Sequence, residues 1–160
     1  MKFEFISNAC GIFHGSKNTK ILCDPWVVNK VFEGSWFNYP PLKTQVKDLQ
    51  EVDAIYVSHV HPDHYDERNF EFPKEIPIII LDEGPNFLKK NLLRKGYKNL
   101  IEIKDDQTKS FKEFEITLYK PFTKSPADKL NTCFGPVFKS PLKLKKEEFK
   151  AVKAPLLFPE

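Results

Sequence analysis

Polar and apolar residues alternate in Lys2-Phe3-Glu4-Phe5-Ile6, and a short apolar run, Lys20-Ile21-Leu22-Cys23, follows the turn-forming stretch His14 to Thr19. Alternation with a period of two marks a strand with one covered face, so the first two dozen residues predict a β-hairpin. Asp24-Pro25-Trp26 ends its second strand. Val27 to Pro41 predicts an aromatic loop holding Trp36, Phe37 and Tyr39 and closed by Pro40-Pro41. Ala54 to Ser58 and Ile76 to Asp82 are apolar at successive positions and rich in β-branched residues, which predicts strands buried on both faces. Pro77 belongs near the start of the second, because proline has no N–H for the ladder. After Gly84-Pro85, the residues Phe87, Leu88, Leu92 and Leu93 fall near helical spacing, with proline suited to the first turn and Gly96 to the stop. Leu100 to Lys104 and Phe114 to Phe122 predict the remaining strands, the latter setting Phe114, Ile116 and Leu118 against Glu115, Thr117 and Tyr119. This order argues for a mixed α/β or α+β sheet domain.

Past Phe122 the pattern fades. Residues 123–160 are rich in lysine and proline and predict no strand, so they form an atypical segment of what reads as one domain over 1–160. A chain of this length can bury roughly 70% of its unfolded surface, enough for a real core. The lysines that thicken between Lys124 and Lys153 read as a solvated tail or helix face, with an anionic-ligand patch as the alternative, and a net charge of only +3 calls for no nucleic-acid partner. No apolar run approaches the ~20 residues that span a bilayer, so no membrane partner is expected. Glu4 interrupts the N-terminal apolar positions, so no export is expected either, and the location expected is cytoplasmic. Cys10, Cys23 and Cys133 are odd in number and form no C-x-x-C pair, which suits small buried groups in a reducing compartment.

Histidine distribution changes the picture. Three of the four histidines lie in Ser58-His59-Val60-His61-Pro62-Asp63-His64-Tyr65-Asp66, directly after a predicted strand. If Ile55 to His61 is extended, His59 and His61 leave the same face. Pro62 then turns the chain, so Asp63 and His64 can return to the same pocket. Imidazoles beside a carboxylate suit a divalent metal, with zinc expected first and manganese or iron as alternatives. Such an ion lowers the pKa of bound water from 15.7 to about 7. His59 and His61 would hold one ion and Asp63 and His64 a second, with Asp63 also the catalytic group that orients the attacking water. The bland alternative is a set of polar loop histidines, which the scarcity of histidine elsewhere argues against. His14, beside Gly15, reads as a turn residue.

The stretch His59-Val60-His61-Pro62-Asp63-His64 resembles the H-x-H-x-D-H signature of the metallo-β-lactamase superfamily. The resemblance implies an αββα sandwich of mixed sheets with a metal centre at one edge. Asp24, in Ile21-Leu22-Cys23-Asp24-Pro25-Trp26, resembles the aspartate that supports the histidine loop in that superfamily. The two motifs look closest to the branch containing ascorbate-6-phosphate lactonase and the hydrolase-like part of CMP-N-acetylneuraminate hydroxylase. That implies a metal-dependent hydrolase attacking an ester, lactone or phosphoester of a small-molecule substrate, a sugar derivative by analogy, in a cleft near Trp36 and Tyr39. The family completes its centre with downstream histidines and a bridging aspartate, whereas this chain has no histidine after His64. Asp128 and Cys133 sit in no matching motif. The resemblance therefore covers residues 1–122, the N-terminal half, and the sandwich is expected to be incomplete at the C-terminus. Two other readings stay open. One is a truncated or degenerate, catalytically inactive member that binds a single ion and covers an exposed sheet face as a homo-oligomer or with a partner chain. The other is a di-iron oxidoreductase.

Overall fold

The structure is a computed structural model that describes residues 1–68 and 70–120 and the backbone of 135–139. Six strands form a mixed sheet in the order β1 (Lys2–Ser7), β2 (Cys10–His14), β3 (Lys20–Cys23), β4 (Ala54–Tyr56), β5 (Ile78–Leu81) and β6 (Leu100–Ile103). The first three pair antiparallel, and β3 to β6 pair parallel. A second, antiparallel sheet holds β7 (Thr108–Phe111), β8 (Phe114–Tyr119) and β9 (Gly135–Lys139). Together they make a mixed α/β architecture of two sheets.

Successive residues of the parallel strands point to opposite faces, and each face has its own core. Ile55, Val57, Ile78 and Ile80 enter one cluster with Leu22, Leu88, Leu92 and Tyr97. Ala54, Tyr56, Ile79 and Leu81 enter the other, with Ile103 and with Phe114, Ile116 and Leu118 of β8. The helix Phe87–Arg94 and the loops cover the first face, and the second sheet packs on the second. Leu88 and Leu92 are the buried residues of the helix, whereas Phe87 and Leu93 stay exposed. Its start differs from expectation: Asn86 is the N-cap, its Oδ1 accepting from the Lys89 N–H at 2.8 Å, so Pro85 lies ahead of the helix. Gly96, at φ +90°, stops it as expected.

The opening region is three strands rather than one hairpin. Strand β1 turns through Asn8, at φ 42°, into β2, which then pairs with β3. The Phe3 ring and the Glu4 carbonyl occupy the space a Cβ at position 11 would need, which is why Gly11 stands there. Phe3 and Phe5 remain exposed on the sheet's edge strand. The expectation of no strand past Phe122 is corrected by β9, paired with β8 from Glu115↔Lys139 to Tyr119↔Gly135. Its Pro136 argues against a central strand but is tolerated on this edge one. Asp128, Cys133 and the rest of the lysine-rich segment lie outside the described residues. No helix among the described residues is long and apolar enough to cross a membrane.

Candidate metal centre

Parallel pairing of β3 with β4 aligns Cys23 with Tyr56, so the residues leaving the two strands emerge side by side at their carboxyl ends. That edge is where open parallel sheets hold ligands. Asp24 leaves β3 with its N–H on the Tyr56 carbonyl at 3.0 Å and a left-handed φ of 40°, a conformation aspartate accepts more readily than most residues. Ser58 and the histidine loop leave β4. The loop then coils through a turn in which the His64 and Tyr65 N–H groups both bond the His61 carbonyl, at 3.0 and 2.7 Å.

The buried Asp24 carboxylate organises the loop from behind. Its Oδ1 accepts the Ser58 backbone N–H at 2.7 Å, and its Oδ2 accepts the Ser58 hydroxyl at 2.8 Å and faces His64 Nδ1 at 3.0 Å. Ser58 Oγ also lies 2.9 Å from His59 Nδ1 and 3.1 Å from His64 Nδ1. The rings of His61 and His64 stack around His59, with centroids 4.6 and 4.1 Å away. Burial, followed by the neighbouring His64 and His61, pulls His59 down to about 3, so it is neutral at physiological pH. Burial pulls His64 down as well, but the Asp24 hydrogen bond, with the charges of Asp24 and Asp63, outweighs it and the net shift is upward.

Among the described residues, no group of three or more His, Cys, Asp or Glu side chains is arranged to hold an ion. The donors face one another in two pairs. His59 Nε2 lies 2.9 Å from His61 Nδ1, and His64 Nε2 lies 3.4 Å from Asp63 Oδ2. Two donors about 2.1 Å from one tetrahedral zinc ion stand roughly 3.4 Å apart, so the second pair has that spacing and the first would open by roughly 0.5 Å. Asp63 Oδ1 is buried with no hydrogen-bond partner. A buried carboxylate oxygen without a donor is costly unless a proton, a cation or a water on a cation serves it, so this carboxylate beside three imidazoles is a donor set that fits a metal.

The aromatics of the loop Val27 to Pro41 are largely exposed. Trp36, Phe37 and Tyr39 are 50%, 56% and 95% exposed. Trp36 packs on Phe32 at 4.8 Å, and Phe32 and Glu33 wall a cleft of about 440 Å³ with Val60, Pro62 and Tyr65. Lys30, Phe32, Glu33 and Gly34 all carry positive φ, a left-handed turn that costs about 1–2 kcal/mol at each non-glycine residue. His14 closes β2 and contacts Glu4 Oε2 at 2.8 Å, away from the cluster. Cys10 and Cys23 are buried, and burial, with the nearby Asp24, raises both thiols, Cys10 to about 12. Ser58 was missed by motif reading, because its partner Asp24 is 34 residues away along the chain.

The fold is a metallo-β-lactamase-type scaffold. Several solved structures share it. One is described as a possible metal-dependent hydrolase from Veillonella parvula, with a TM-score of 0.69, 22% identity, and coverage of 87% of this chain and 58% of that one. An isothiocyanate hydrolase from Delia radicum gut bacteria matches with a TM-score of 0.66 and 27% identity, over 88% of this chain and 58% of that one. CmlA, a diiron β-hydroxylase from Streptomyces venezuelae, matches with a TM-score of 0.60 and 20% identity, over 86% and 27%. In sequence, a Mycolicibacterium smegmatis protein provisionally named a Rieske 2Fe-2S iron-sulfur protein is 35% identical over 98 residues, 59% of this chain and 19% of that protein. The cytidine monophosphate-N-acetylneuraminic acid hydroxylase of Danio rerio is 33% identical over 61 residues, 38% of this chain and 10% of that protein. The chain thus spans less than a fifth of either relative's length. No family model matches it.

Proposed function

We propose that the chain carries one wall of a dinuclear metal centre belonging to a metal-dependent hydrolase. The observation that carries this is the facing of donors in two pairs, His59 with His61 and Asp63 with His64, around an Asp63 Oδ1 that has no other partner. His59 through Nε2 and His61 through Nδ1 would hold one ion, and His64 through Nε2 and Asp63 through Oδ2 the other. Bound there, a divalent ion supplies a Lewis acid and acidifies water towards neutral pH. His59, kept neutral by burial, offers its lone pair without first losing a proton. In this reading Asp63, whose Oδ2 lies 3.4 Å from His64 Nε2, would also orient the attacking water. Asp24 restrains the His64 ring from behind.

Zinc is the first choice of metal, with manganese or iron next, and the substrate class is an ester, lactone or phosphoester of a small molecule such as a sugar derivative. The hydrolases among the structural neighbours support the reaction class. A redox reading has its own support in the diiron CmlA and in the hydroxylase and iron-sulfur names of the sequence relatives. Imidazole and carboxylate donors suit iron as well as zinc. The two readings separate in one experiment. The chain is loaded with zinc or, anaerobically, with ferrous iron, dialysed, analysed for metal, and assayed on an ester, lactone and phosphoester panel. Zinc retained near stoichiometrically, with hydrolysis that disappears in His61→Ala, supports the hydrolase. Iron retained without hydrolysis supports the redox enzyme, and metal readily lost to dialysis supports an inactive member of the superfamily.

A further inference from the structure

We propose that Ser58 is a positioning residue that sets the tautomers of two histidines at once, one from each donor pair. Ser58 is 4% exposed and sits where β4 gives way to the histidine loop. An ionised carboxylate can only accept, so Asp24 Oδ2, at 2.8 Å, takes the hydroxyl proton of Ser58. With its one proton committed, Ser58 Oγ presents only lone pairs to His59 Nδ1 at 2.9 Å and His64 Nδ1 at 3.1 Å. Both Nδ1 atoms therefore carry hydrogen. A neutral imidazole protonated at Nδ1 has its lone pair at Nε2, and the two Nε2 atoms are the ones that face His61 and Asp63.

The reverse tautomer at His59 would put two acceptors in contact at 2.9 Å, or pull the hydroxyl proton away from Asp24. At His64 the neighbouring Asp24 Oδ2, 3.0 Å away, makes the same demand as Ser58. His61 differs from both. Its Nδ1 faces the His59 Nε2 lone pair, so in the metal-free chain His61 is the donor of that bond. To hold an ion through Nδ1, His61 must move its proton to Nε2, while His59 and His64 keep theirs. The Ser58 hydroxyl thus prepares His59 and, together with Asp24, His64 in advance, and His61 is the ring that changes on loading.

The effect on metal binding rests on the reading of the histidines as ligands, whereas the tautomer assignment does not. Long-range 1H–15N spectra of the metal-free, histidine-labelled protein read the tautomers directly. Expected are Nδ1–H at His59 and His64 in the wild type, loss of the single Nδ1–H form at His59 in Ser58→Ala, and its return in Ser58→Thr. An Nε2–H form at His59 in the wild type, or an unchanged His59 in a folded Ser58→Ala, overturns the proposal. The wild-type spectrum decides even if the alanine variant does not fold. A cobalt titration of the same proteins is expected to show affinity weakened about 10–100-fold in Ser58→Ala and restored in Ser58→Thr. If the wild type binds no cobalt, the metal reading fails and the spectra still decide the role of Ser58.

Discussion

The side of the histidine cluster that faces the sheet and the side that faces away from it use their hydrogen-bonding groups differently. Towards the sheet, the Asp24 carboxylate meets the Ser58 N–H, the Ser58 hydroxyl and His64 Nδ1, and Ser58 Oγ meets His59 Nδ1. On the other side the donors meet one another, and Asp63 Oδ1 meets nothing. Backbone accounts for the difference. Asp24 and Ser58 leave adjacent parallel strands in register, so rigid elements hold the sheet side together, whereas Asp63 and His64 ride on the turn after Pro62. In the proposed centre the sheet side would orient the ligands and the far side would take the metal.

Substitutions can break this comparison from either side. The largest effect is expected from His61→Ala, which removes a far-side donor: metal-dependent hydrolysis should fall to background while the thermal midpoint hardly moves. Asp24→Ala attacks the sheet side. It strands the Ser58 N–H, the Ser58 hydroxyl and His64, and should cost about 3–5 kcal/mol in a urea titration, weakening metal binding as a consequence. Equal and small losses of stability in both variants would erase the distinction between the two sides.

Acid should separate the two buried imidazoles. His64 is raised from 6.5, so the stability it contributes is full below 6.5 and is lost as pH rises through its shifted value. His59 is lowered to about 3, so the folded chain refuses a proton that the unfolded chain takes, and stability falls as pH drops from 6.5 towards 3. In the metal-free protein the two slopes oppose each other, and Asp24→Ala should leave mainly the His59 slope. Denaturant titrations from about pH 5 to about pH 8 measure this. The smallest effect is expected far from the cluster. Glu113 accepts from Ser16, Lys17 and Thr19 in the turn before β3. Although burial raises it, those bonds win and bring its carboxyl down to about 2. Its contribution is present above 4.5 and lost as pH falls to about 2, and Glu113→Gln should lower stability at neutral pH without changing metal affinity.

Much of the fold was legible because the parallel strands are buried on both faces and must be apolar throughout, as Ile78 to Leu81 are. Strand β7 escaped because its Thr108-Lys109-Ser110 is exposed and polar, and β9 because proline at an edge looks like proline in a loop. The left-handed turn at Lys30 to Gly34 has only one glycine to announce it. At the site, the spacing of His59, His61 and His64 was readable as a cluster, since a strand and a proline turn place them locally. Ser58 was not, because the role of a hydroxyl depends on which carboxylate the fold brings to it.

The central claim is that the far side of the cluster is left open for metal, and a zinc titration of the histidine-labelled protein followed through its imidazole nitrogens tests it most directly. The account predicts that His59 Nε2, His61 Nδ1 and His64 Nε2 shift together as metal is added, while His59 Nδ1 and His64 Nδ1 keep their protons. Imidazole signals that stay unchanged at excess zinc, with the His59–His61 hydrogen bond intact, would contradict it.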